Sequence, residues 1–89
     1  MLCCDLKIIN KLGLHARAAT KLASAAGRYQ CSIRIGEPDQ SVDAKSIMSL
    51  MLLAASQGTD LSFEFDGPDE LQAQQEIAQL LADYFGEGE

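Results

Sequence analysis

LCCDLKIINKLGLHARAATKLASAAG, residues 2–27, changes its hydrophobic period once, and that change decides the fold. From Leu2 to Ile9 the pattern has period two: Leu2, Cys4, Leu6 and Ile8 share one side, and Cys3, Asp5 and Lys7 share the other, as in a strand with one wet face. From Ala16 to Ala26 the apolar positions Ala18, Ala19, Leu22, Ala23 and Ala26 recur at helical spacing. Asn10 to Leu14 between them reads as a loop. Gly27 is expected to close the helix as a left-handed C-cap.

The rest of the chain repeats these two periods. Cys31, Ile33 and Ile35 alternate with Ser32 and Arg34, and Gly36-Glu37-Pro38-Asp39 reads as a turn into a short extended stretch at Ser41 to Asp43. Ser46 suits the N-cap of a second helix from Ile47, with Gly58 expected to mark its end after Gln57. Leu61, Phe63 and Phe65 alternate with Ser62, Glu64 and Asp66 as a fourth strand. After Gly67-Pro68, the acidic Asp69 and Glu70 suit a helix start, and Ala73, Ile77, Leu80, Leu81 and Tyr84 form the apolar stripe of a last helix. The tail from Gly86 to Glu89 is expected to fray. The order is β-α-β-β-α-β-α with every strand alternating, so the expected fold is α+β: an open-faced sandwich of a four-stranded antiparallel sheet with three helices on one face.

A chain of 89 residues holds one hydrophobic core, so residues 1–89 are expected to form a single domain. Apolar residues make up 47% and charged residues 22%, a balance that excludes the apolar-poor profile of disordered chains. No apolar run approaches the roughly 20 residues of a membrane span, and the amino terminus lacks a basic region ahead of an apolar core. A cytoplasmic protein without membrane contact is expected. Cys3, Cys4 and Cys31 are odd in number and lack the spacing of a disulfide framework or a zinc site, so neither a metal nor another cofactor is expected.

The net charge of −6 argues against nucleic acid as a partner. Its distribution is uneven. All seven Lys and Arg residues and four of the thirteen acids precede position 46, so the first 45 residues carry +3 and the last 44 carry −9. Ordinary solvated surface would explain this, as would a locally basic, anion-tolerant site on an acidic body.

That site is expected at Gly13-Leu14-His15-Ala16-Arg17, where the single histidine stands before the first helix. A helix start offers unsatisfied backbone N–H groups, here those of Ala16 and Arg17, and about half a positive charge. Arg17 adds a planar cation with several donors. A phosphoryl group on His15 would meet both at once. A histidine near a helix start is by itself more often a surface residue or a cap.

The wider pattern is more specific. Asn10-Lys11-Leu12-Gly13-Leu14-His15-Ala16-Arg17, followed by Ala44-Lys45-Ser46-Ile47-Met48, closely resembles the histidine-containing phosphocarrier (HPr) family of the bacterial phosphotransferase system, and the resemblance spans nearly the whole chain. It implies a relay: enzyme I, charged by phosphoenolpyruvate, phosphorylates His15 at Nδ1, and the carrier donates to an enzyme IIA domain. It also implies that Arg17 stabilises the phosphate, and that Ser46 matches a regulatory position open to a serine kinase. On this reading Ile47, Met48, Met51 and Leu52 belong to a docking surface, to which Thr20, Lys21 and Ser24 on the first helix also contribute. Core packing is the ordinary role of such apolar residues, yet Ile47 to Ala54 holds only Ser49 as a polar member and cannot all face inward. One departure is Ala18, where many family members carry proline; it bears on the kinetics of transfer, not on the role.

A monomer without independent turnover is expected. Both a sugar-uptake branch and a nitrogen-related regulatory branch (NPr) fit, with overall similarity leaning to the second. Two rivals belong to other classes. A small hydrolase would need a second titratable group with its own motif, which is absent. A passive interaction module using Ile47 to Leu52 would leave the histidine unexplained.

Overall fold

The structure, a computed structural model, describes residues 1–37, 40–53 and 55–86. Four strands, β1 (Leu2–Lys7), β2 (Ser32–Glu37), β3 (Gln40–Asp43) and β4 (Asp60–Asp66), form one sheet in the order β1-β4-β2-β3, each neighbouring pair antiparallel. The helices are α1 (Ala16–Gly27), α2 (Ile47–Leu53) and α3 (Glu70–Ala82), and a 3₁₀ turn follows at Tyr84–Gly86. The α+β open-faced sandwich expected from the periodicities is the architecture found.

Register explains why the alternation works. Phe63 lies opposite Cys4 on one side and Ile35 on the other, and Phe65 lies between Leu2 and Ile33. The inward positions of three strands therefore coincide on one face. Phe63 and Phe65 stack along β4 with ring centroids 6.1 Å apart. Helices cover this face: α3 lies across β1 and β4, α2 meets β3, and α1 packs between α2 and α3. Ala18, Ala19, Leu22, Leu50, Ala73 and Ile77 are fully buried there. The opposite face, with Cys3, Asp5, Lys7, Ser32 and Arg34, is wet.

β1 stops at Lys7, short of the expected Ile9, and β3 starts one residue early at Gln40; four further element ends differ from the expectation for reasons the structure shows. Gly27 is the last residue of α1 and does not adopt a left-handed conformation; the helix closes by tightening, with Arg28 N–H donating to the Ala25 carbonyl and Tyr29 N–H to that of Ala26, both at 3.2 Å. β2 runs on through Gly36 and Glu37, because Gly36 lacks a Cβ that would approach the Gln40 carbonyl oxygen to 2.2 Å; the proposed turn residues Pro38 and Asp39 lie outside the described residues. The second helix ends at Leu53, well short of Gly58, which instead turns the chain into β4 and donates to the Ile8 carbonyl at 2.7 Å. Tyr84 is not on the stripe of α3. It begins the 3₁₀ turn with φ of 56°, followed by Phe85 at 54°, and Phe85 fills the core in its place. Of the expected fraying tail, residues 87–89 lie outside the described residues.

Candidate functional site

The loop ahead of α1 is sewn to the segment after α2. Asn10, wholly buried, donates from Nδ2 to the Gly13 carbonyl at 2.7 Å, and Gly13 N–H returns to the Asn10 carbonyl at 3.2 Å. Leu14 N–H donates to the Ala55 carbonyl at 2.8 Å. Gly13 allows this approach: its φ is +69°, and a Cβ there would stand 2.6 Å from that same carbonyl oxygen. Leu14 is buried beneath, so His15 emerges from a loop fixed on both sides.

His15 is the N-cap of α1, with extended backbone, and its Nδ1 accepts from Arg17 N–H at 3.3 Å. Nδ1 thus presents its lone pair at a helix start whose first turn holds no acidic side chain. An anion covalently held on Nδ1 would lie beside those N–H groups and the positive end of the helix. Ala16 and Arg17 are exposed, and the Ala18 side chain points into the core.

The other expected residues fall in two groups. On α1, Thr20 and Ser24 share the exposed stripe with Arg17, and Thr20 Oγ1 donates back to the Ala16 carbonyl at 2.8 Å. Lys21 is half-buried, its Nζ donating to the Phe85 carbonyl at 2.6 Å, so its ammonium holds the C-terminal turn. On α2, Ser46 Oγ accepts from Ser49 N–H at 3.2 Å, the bond of an N-cap. Ile47, Met48, Met51 and Leu52 are exposed by 41 to 81%, while Leu50 alone among the helix's apolar residues is fully buried. That is a contiguous apolar surface left open to solvent.

Between α2 and the histidine lies an open pocket of about 270 Å³, lined by Leu12, Leu14, His15, Ala16, Met51, Ala55 and Ser56. In the sequence, only the family resemblance links His15 to Met51, and nothing there singles out Leu12, Ala55 or Ser56 as companions of the histidine. Their approach is tertiary, made by Gly13 and the Leu14–Ala55 bond. The one sequence signal was a large aliphatic residue, Leu12, in a loop that needs none. Among the described residues no group of three or more His, Cys, Asp or Glu could hold a metal, and no helix is long and apolar enough to cross a membrane.

Residues 3–83 match the family described as "PTS HPr component phosphorylation site". A protein of Cupriavidus necator named phosphocarrier protein HPr is 49% identical over 85 residues, covering 96% of each chain. Its namesake from Pseudomonas aeruginosa is also 49% identical, over 86 residues and 96% of each chain. Among solved structures, HPr-C-His from Thermoanaerobacter tengcongensis superposes with a TM-score of 0.93 at 36% identity, over 98% of each chain.

Proposed function

Because the chain belongs to the HPr family of phosphotransferase-system phosphocarriers, we propose that His15 accepts a phosphoryl group at Nδ1 from phosphoenolpyruvate-charged enzyme I and passes it to an enzyme IIA domain. The observation that carries this reading is the His15 cap: Nδ1 faces the Arg17 N–H at the open start of α1. The Nδ1 lone pair attacks phosphorus as the bond from phosphorus to the donor atom of enzyme I breaks, and the donor atom keeps that electron pair. The Arg17 N–H that meets the lone pair in the free protein then meets a phosphoryl oxygen, as does the N–H of Ala16, and the Arg17 guanidinium adds a charge-assisted donor. Transfer to enzyme IIA runs the same exchange with His15 as leaving group.

Docking falls to Ile47, Met48, Met51 and Leu52 with the exposed stripe of α1, since flexible thioethers adapt to more than one partner. Ser46, at the edge of this surface, is the regulatory position, where a phosphate would set about two negative charges against an acidic partner. The carrier works in the cytoplasm as a monomer without a cofactor.

Incubation with enzyme I and phosphoenolpyruvate tests the reading. One acid-labile phosphate per chain is expected, with none on His15→Ala, whose circular dichroism should match the parent. Release of free phosphate over many turnovers would instead indicate a hydrolase, and no labelling a passive module. Transfer rates to an enzyme IIA of the sugar branch and to one of the nitrogen branch then assign the pathway.

A further inference from the structure

One wall of the His15 pocket does not come from α2. Leu12, in the loop ahead of the histidine, is 69% exposed and lines the same pocket as Met51, with Leu14 and Ala55 as apolar lining between them. Among the described residues no acidic side chain lines it. At about 270 Å³ the pocket falls below the roughly 300–1,000 Å³ of sites that enclose a small molecule, and it is open to solvent. A single side chain brought by another protein suits it better, in the manner of a buried anchor at an interface centre.

We propose that this pocket receives one apolar anchor side chain of the phosphoryl-donating enzyme I, and that Leu12 is a residue determining specificity for that donor; the inference rests on the relay proposed above. Three observations favour this occupant. The pocket is continuous with the exposed apolar residues of α2 through Met51, so one partner covers both. His15 forms part of its wall, so whatever fills it arrives beside the accepting nitrogen. Exposed Lys11 and Arg17 flank its sequence neighbours, which suits an anchor set among acidic residues. A second copy of this chain fits less well, because a twofold contact would bring these cations against their own equivalents.

The test compares two donors on the same protein: enzyme I with phosphoenolpyruvate, and phosphoramidate, a small phosphoryl donor that needs no docking. For Leu12→Ser, the ratio of the enzyme I rate at low carrier concentration to the phosphoramidate rate is expected to fall about tenfold, through a higher KM with little change in kcat. Leu12→Met, which keeps an apolar wall, restores the ratio. A ratio equal to the parent's overturns the proposal, as does a loss confined to kcat. Concentration-dependent dimerisation of the parent that Leu12→Ser abolishes would assign the pocket to a second copy and also overturn it. Failure of the parent to accept phosphate from either donor would reject the relay itself, an outcome distinct from all of these.

Discussion

A methyl group added at Gly13 would lie 2.6 Å from the Ala55 carbonyl oxygen and 2.9 Å from the Ser56 Cα, on a residue already at φ of +69°. The left-handed conformation alone costs an alanine about 1–2 kcal/mol, and relief of the contact must move the loop that carries His15. Gly13→Ala is therefore expected to lower stability by more than this amount and to slow phosphoryl uptake as well, read by thermal melting and by labelling on one preparation. Arg17 should separate the two effects. It is exposed, so Arg17→Ala is expected to leave stability within about 0.5 kcal/mol of the parent while transfer from enzyme I slows. A melting shift as large as the kinetic loss would count against its role as a phosphate ligand.

At the scale of elements, α2 is too short to persist alone and depends on its cap and on Leu50 beneath it. Ser46→Ala removes the acceptor of the Ser49 N–H and should cost about 1 kcal/mol. Ser46→Asp keeps an acceptor there and should keep the fold, yet accept phosphate from enzyme I more slowly at low salt, the gap narrowing as ionic strength rises. Equal rates for Ser46→Asp and the parent at low salt would leave the serine as a cap only. The elements themselves were legible, because Leu2 to Ile8 and Leu61 to Phe65 carry the strand period plainly and Ala18 to Ala26 the helical one. Their ends were less so. Where a helix stops depends on what waits in space: Phe85 leaves the helical path to fill the core, and Lys21, 64 residues away, takes its carbonyl. The histidine, its arginine and the apolar run of α2 could be read from residue type and family resemblance. The pocket joining them could not, since Ala55 meets Leu14 only through the close approach at Gly13.

For the molecule as a whole, the corner where α3 starts beside β2 is closed by one carboxylate. Asp69 accepts from Gln30 N–H at 2.8 Å and from Cys31 N–H at 2.9 Å, joining the start of α3 to the strand after α1. These donors, Gln30 first, hold its pKa below the ordinary carboxylate value, while partial burial opposes them. The stabilisation is therefore fully present above the usual carboxylate range and is lost as pH falls through the lowered value. Melting temperature followed from about pH 6 to about pH 2 should decline less steeply for Asp69→Asn than for the parent. Identical slopes would show that other carboxylates govern acid unfolding. The three free thiols are divided by the same architecture. Burial pushes the Cys31 thiol up, with Asp69 adding to the effect, and burial likewise raises Cys4, whereas Cys3 is exposed on the sheet face that the helices leave bare. A maleimide dye would thus attach first at Cys3, on the sheet layer opposite the helices that carry the proposed docking surface, and the natural sequence already offers an attachment point for a fluorescent reporter of arriving partners.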